Sequence, residues 1–164
     1  MFFGRWIKHG GTYPLIIPRI FKYGYGHIEA RNMDEHTIID GPVIRLRNDL
    51  IHYDFKGLYE WIDKYNKYSA REALDYFDRN NVSDDQIKKK FFGSQRKRKR
   101  FLKNGVYYSI PKFWRAWFYY IYRYYFCLGF LDGKEGKIFC FLQAYWYRFL
   151  VDAKIFEKER EDIK

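Results

Sequence analysis

No aspartate or glutamate occurs between Gln86 and Leu131, and the same span carries twelve lysines and arginines. The whole chain has a net charge of +11, so the remainder is close to neutral. The basicity belongs to one segment, and its explanation belongs there too. Cysteine is equally scarce. Only Cys127 and Cys140 are present, both in aromatic surroundings, with no Cys-x-x-Cys and no Cys/His spacing suited to a metal. That pattern excludes a zinc module and reads as free, buried thiols in a reducing compartment rather than a disulfide. The N-terminus, "MFFGRWIKHGG", has neither a long apolar stretch nor a small-residue cleavage site, and no signal peptide is expected. No internal repeat is present, and "KRKR" is the only low-complexity stretch.

Aromatic residues are abundant: 17 Tyr, 16 Phe and 5 Trp make up 23% of the chain. A routine core needs far fewer. Tyr and Trp join an apolar body to a polar tip and favour places where an apolar phase meets water. Hydrophobic residues reach 48% of 164 positions, enough for one folded domain with a modest core.

Residues 1–31 carry five glycines and two prolines, which argues against long helices there. "IIPRIFKYG" reads as a short strand entered through a proline. "HTIID" and "VIRLRNDLIHYD", separated by "GP", read as two strands around a turn. From Lys56 to about Asn80 the period becomes helical. Leu58, Trp61, Ile62 and Tyr65 share a face that Ala73, Leu74 and Phe77 continue, with Asp54 as the expected N-cap and Trp61 and Tyr65 in the core. Residues 86–105 form the basic run. Residues 111–131 open with a proline suited to a helix start. "DGKEGK" interrupts the pattern, and 137–160 reads as a last helix.

Twelve of the twenty residues in 107–126 are aromatic. On a helix, Lys112, Arg115 and Arg123 fall within an arc of about 140°. Three readings follow: a helix in a protein core, a membrane span, or a helix lying in a membrane interface. Many tyrosine hydroxyls and three cations fit poorly in a core. Arg115 and Arg123 interrupt a span at about 2.5–3.5 kcal/mol each. The in-plane helix avoids both costs, with Trp114 and Trp117 toward lipid and Arg96, Lys97, Arg98, Lys99 and Arg100 attracted to an anionic leaflet. Basic residues interleaved with aromatics also suit RNA or another single strand.

"NMDEHTIIDGP" places Asp34, Glu35 and His36 beside a tight turn, and the residues alone leave open a solvated hairpin or a carboxylate doing acid/base work. Three stretches bear on this: "GRWIKHGGTYP", the run from "PRIFKYGYGH" through "NKYSAREA", and "LGFLDGKEGKIFCFLQAYWYRFLVDAKIFE". In this order they resemble the C-terminal part of bacterial family 2 glycosyltransferases, the subgroup that builds lipopolysaccharide core and exopolysaccharides of the colanic-acid type. The resemblance runs from residue 4 to about 157. It implies an α+β chain whose short strands and hairpin come from the acceptor side of a GT-A fold, followed by long aromatic-rich amphipathic helices. Residues 1–80 would be the acceptor side, 81–106 a basic linker and 107–164 a membrane-associating helical region.

The chain has no Asp-x-Asp, the family's motif for the metal and donor diphosphate. The resemblance therefore implies a fragment lacking the N-terminal nucleotide-binding half, a split gene product whose N-terminal half is separately encoded, or a mis-started reading frame, and it leaves activity of this chain alone in question. The implied reaction passes a hexose from a nucleotide sugar to an envelope polysaccharide or lipid-linked glycan, at the cytoplasmic face of the inner membrane. Glu35 matches the position of the general base, with Asp34 as base or support. His52 matches a histidine that completes coordination of Mg²⁺ or Mn²⁺. Arg19 and Lys22 would meet phosphate, and Arg5 and His9 would line the acceptor cleft. Two readings from other classes stand beside this one: a non-enzymatic peripheral membrane module and a basic RNA-binding protein.

Overall fold

A computed structural model describes residues 1–28, 37–39, 41–53, 56–80 and 107–161. The architecture is α+β, weighted heavily toward helix. Two three-residue strands, β1 (Gly26–Ile28) and β2 (Thr37–Ile39), pair antiparallel with Gly26 opposite Ile39 and Ile28 opposite Thr37. Helix α1 spans Leu58–Asn80. A 3₁₀ turn at Tyr107–Ser109 precedes α2 (Trp114–Ile121), which runs on into a π-helical turn, Tyr122–Phe126. A 3₁₀ turn at Gly129–Asp132 leads to α3 (Gly133–Cys140), a π-helical stretch at Phe141–Trp146 and α4 (Tyr147–Glu161).

The strand reading needs correction. "IIPRIFKYG" forms no strand, and nothing from 41 to 53 pairs. The described partner of β2 lies before it rather than after. Val43, Ile44, Leu46, Leu50 and Ile51 are all largely exposed. Alternating apolar residues become a strand only where a partner edge and a covering layer exist, and the described chain offers these neither.

The helical reading fares better. Helix α1 begins within two residues of the expected start. Its buried face is rotated from the expected stripe. Trp61, Tyr65, Ala73 and Phe77 turn inward, but Leu58, Ile62 and Leu74 lie at the exposed margin, and Ser69 and Glu72 take buried positions. The expected cap, Asp54, lies outside the described residues.

The core joins α1 to α4. Ala73 packs with Tyr147, Val151 and Ile155, which recur every four residues along α4, and Tyr65, Tyr68, Tyr76, Phe77 and Trp146 close around them. Glu72 is buried in this core. It accepts from the Tyr147 hydroxyl and the Arg148 guanidinium. Burial opposes the Arg148 charge most strongly, yet Glu72 and the neighbouring tyrosines outweigh it and hold the guanidinium protonated. Helix α1 falls in the first expected region (1–80) and α4 in the last (107–164), so one core spans both. The linker at 81–106 lies outside the described residues.

The first twelve residues are also built into this unit. Phe2 is buried against Trp61 of α1 and Phe139 of α3, with ring centroids 6.1 and 5.2 Å away. The turn that places it closes through Phe2 N–H to Arg5 O and Arg5 N–H to Phe2 O, 2.8 and 2.9 Å.

Candidate functional site

The "HGG" loop is anchored on every side. His9 donates its backbone N–H to Asp132 Oδ2 at 2.7 Å, and its Nδ1 lies 2.8 Å from Asp132 Oδ1. An ionised carboxylate only accepts, so Nδ1 carries the proton in this contact. Gly10 N–H donates to Cys127 O at 2.8 Å, and Gly10 O accepts from Arg123 Nε. Thr12 Oγ1 closes the loop onto His9 O at 2.8 Å. Gly10 adopts φ +68°, and a Cβ there would stand 2.9 Å from Cys140 Sγ. Gly129 is tighter: its Cβ would meet Cys140 Sγ at 2.7 Å and Arg123 O at 2.9 Å. Only glycine lets the loop and the 3₁₀ turn close on the buried thiol. Burial raises the Cys140 thiol pKa despite the nearby Arg123 charge, so the group stays neutral as packing.

The result is a buried carboxylate, its side chain 4% exposed, holding an imidazole that is 36% exposed. Nε2 has no hydrogen-bond partner among the described residues. Arg5 reaches the same segment through Glu135 at 3.4 Å, a surface contact of little energetic weight.

Arg123 ties the loop to the helices. Its Nη1 donates to Gln143 Oε1 at 2.7 Å, and Gln143 Nε2 is 3.5 Å from the Tyr65 hydroxyl on α1. Arg115 is deeper still, 1% exposed, and pairs through Nε with Asp152 Oδ1 at 2.8 Å. The other Asp152 oxygen accepts Phe113 N–H at 2.7 Å. Phe113 sits at φ 69° immediately before α2, a conformation that costs a non-glycine residue roughly 1–3 kcal/mol. Asp152 thus fixes the entry of α2 and neutralises its buried cation together. Burial works against the Arg115 charge, but the hydrogen bond and attraction from Asp152 prevail and raise its pKa.

This overturns the amphipathic arrangement expected for 111–131. Arg115 and Arg123 face the protein interior, not a headgroup layer, and Lys112 is engaged by Glu159. Trp114, Trp117, Phe118, Tyr122, Tyr125, Phe126 and Phe130 occupy the outside, while Phe113, Tyr119, Tyr120 and Tyr124 are partly covered. Trp114 and Trp117 are both exposed. With Phe113, Tyr145 and Phe149 they line an open cleft of about 260 Å³.

The other expected residues are scattered or undescribed. Asp34 and Glu35 lie outside the described residues, as do Arg96, Lys97, Arg98, Lys99 and Arg100. Arg19 and Lys22 are exposed; the Lys22 ammonium lies 5.5 Å from the Tyr25 ring, and no hydrogen bond or ion pair among the described residues joins either to the His9 loop. His52 is exposed, and its carbonyl accepts the Met1 ammonium at 2.9 Å. Among the described residues no three His, Cys, Asp or Glu side chains gather as a metal site.

Asp132, Asp152, Glu72 and Gln143 went unremarked in the sequence. Asp152 had a signal, being a lone carboxylate among apolar residues in "FLVDAKIF". Asp132 lay inside "DGKEGK", which read only as a break. Compared with protein-family models, curated proteins and solved structures, the chain finds no match.

Proposed function

We propose that this chain is the acceptor-binding and membrane-docking part of a bacterial family 2 glycosyltransferase of the lipopolysaccharide-core or colanic-acid type. The complete enzyme passes a hexose from a nucleotide sugar to an envelope polysaccharide or lipid-linked glycan, at the cytoplasmic face of the inner membrane. One observation supports the reading beyond the resemblance itself. Two stretches that carry the resemblance, "GRWIKHGG" and "GFLDGKEG", lie more than 100 residues apart and share one node: the two His9–Asp132 contacts, the Arg5–Glu135 pair, and Gly10 and Gly129 against Cys140. A half-exposed imidazole held at Nδ1 offers Nε2 to an acceptor hydroxyl.

By the resemblance, Glu35 takes the proton from the attacking hydroxyl, with Asp34 beside it, while Arg19 and Lys22 meet phosphate. The donor diphosphate and its metal belong to a nucleotide-binding half, because these 164 residues contain no Asp-x-Asp. The test joins the chain to such a half and follows labelled hexose from a panel of nucleotide sugars to a lipid-linked glycan. Glu35→Gln is expected to lower kcat by about 10²–10⁴ with donor affinity nearly unchanged. Turnover indifferent to Glu35→Gln overturns the assignment of the base. Absence of turnover in every combination, with vesicle binding intact, leaves a non-enzymatic membrane module. Preference for RNA over vesicles points instead to a nucleic-acid binder.

A further inference from the structure

From Phe113 to Leu131 the chain is inside out. Both of its charged residues, Arg115 and Arg123, are buried, and every exposed residue is aromatic or aliphatic: Trp114, Trp117, Phe118, Tyr122, Tyr125 and Phe126 on α2 and its π turn, with Leu128, Phe130 and Leu131 following. Phe126 is 77% exposed and Trp114 62%. Water alone as the surrounding medium rewards the opposite arrangement. The rings continue from helix to helix. Trp117 meets Tyr120 and Tyr145, Tyr120 meets Phe141, and Tyr145 meets Phe149, all with centroids within 6.5 Å.

We propose that this face seats in the interfacial zone of a phospholipid bilayer by inserting its aromatic side chains, and that this insertion, rather than charge attraction, supplies most of the docking. The inference deepens the docking part of the reading above and is independent of glycosyl transfer. Three observations select lipid as the occupant. First, the exposed side chains are mostly aromatic, and Trp114, Trp117, Tyr122 and Tyr125 join a polar tip to an apolar body, which suits the headgroup boundary better than pure hydrocarbon. Second, no helix among the described residues is long and apolar enough to cross a membrane, so the face lies in the plane. Third, the charges complement a lipid surface. Lys134 and Lys137 on α3 are exposed, make no salt bridge among the described residues, and share their helix face with exposed Ile138 and Phe141. Phe141 in turn touches the ring network. This places two ammonium groups beside the aromatic rim, where lipid phosphates would lie.

The test uses the purified full chain and sedimentation with two vesicle types, pure phosphatidylcholine and a phosphatidylcholine–phosphatidylglycerol mixture. Each is run at low salt and at about 1 M salt, where the screening length is about 3 Å. Binding to pure phosphatidylcholine that survives high salt is expected. The double variant Trp114→Ser/Phe126→Ser should lower that partition about tenfold or more. Its urea midpoint should stay near that of the parent, because both side chains are exposed. Brominated phosphatidylcholine should quench the parent's tryptophan fluorescence more than that of Trp114→Tyr/Trp117→Tyr. Binding restricted to anionic vesicles and abolished by salt overturns the proposal while leaving peripheral docking through the basic segment in place. Undiminished binding by the double variant also overturns it. So does a concentration-dependent dimer that the double variant dissolves, with no vesicle binding, since a second copy of the chain would then cover the face.

Discussion

Among the described residues between 14 and 53 most large apolar side chains point outward, and little of the described chain packs on them. Between 107 and 161 many point outward while Arg115, Arg123, Asp132 and Asp152 share the inside with Tyr147, Val151 and Ile155. Ile20, Tyr23, Ile44 and Ile51 stand at 80–99% exposure around a pair of three-residue strands. The helical unit, with the first twelve residues and α1 packed against it, has buried ion pairs at Arg115–Asp152 and Arg148–Glu72 and a mesh of rings between helices. Exposed apolar area alone does not distinguish these cases. The position of the cations does. A segment without internal partners shows its apolar residues by default, whereas the segment that buries Arg115 and Arg123 while exposing Trp114 and Trp117 is the one for which we propose a lipid surrounding.

The largest expected effect lies at the buried pair. Asp152→Ala leaves Arg115 uncompensated and Phe113 N–H without its acceptor, so it should cost about 3–5 kcal/mol. Urea melts followed by helical circular dichroism measure this, and a loss under about 1 kcal/mol would show that the pair is not what organises the unit. Gly129→Ala should come next. Its Cβ would stand within 3 Å of both the Cys140 sulfur and a backbone oxygen, and overpacking of that kind costs about 1–3 kcal/mol.

A pH series sharpens the contrast further. Burial raises the phenol pKa of Tyr107 and of Tyr65 above the ordinary 10.0. A phenol whose folded pKa exceeds its unfolded value holds its proton more tightly when folded. Its contribution is therefore complete below about pH 10 and is lost as the pH climbs through the unfolded value toward the folded one. The urea midpoint should stay level from about pH 7 to 9 with respect to these groups and fall above about pH 10, and Tyr107→Phe should shallow that fall. Ile44→Ser marks the small end. Its side chain is 86% exposed, and the substitution should change stability by no more than about 0.5 kcal/mol. A larger loss would mean that the extended segment has a packing partner. Trypsin should agree, cutting at exposed Arg45 and Arg47 before buried Arg115 and Arg123.

Helical periodicity made α1 and the last helix readable, because burial repeats locally every three to four residues. The direction of the aromatic helix was not readable. An arc of three cations looks like a solvated face unless Asp152, 37 residues beyond Arg115, is known to fold over it. The alternating run at 43–51 misled for a related reason: alternation states a preference for a sheet but not the presence of a neighbouring edge. Arg5 and His9 were legible as members of a glycine-rich loop. Asp132, which orients His9, was not, since nothing local connects the two.

The His9–Asp132 contacts join residues 123 positions apart. At a synthesis rate of roughly 5–20 residues per second, His9 leaves the ribosome about 6–25 s before its carboxylate partner. Phe2, buried against Phe139 of α3 in the finished protein, spends such an interval without it. The beginning of this chain is thus among the last parts to find its place. Growth conditions that slow elongation should lengthen its exposure to chaperones and proteases, and the aromatic helices, made late, complete a surface that has been waiting for them.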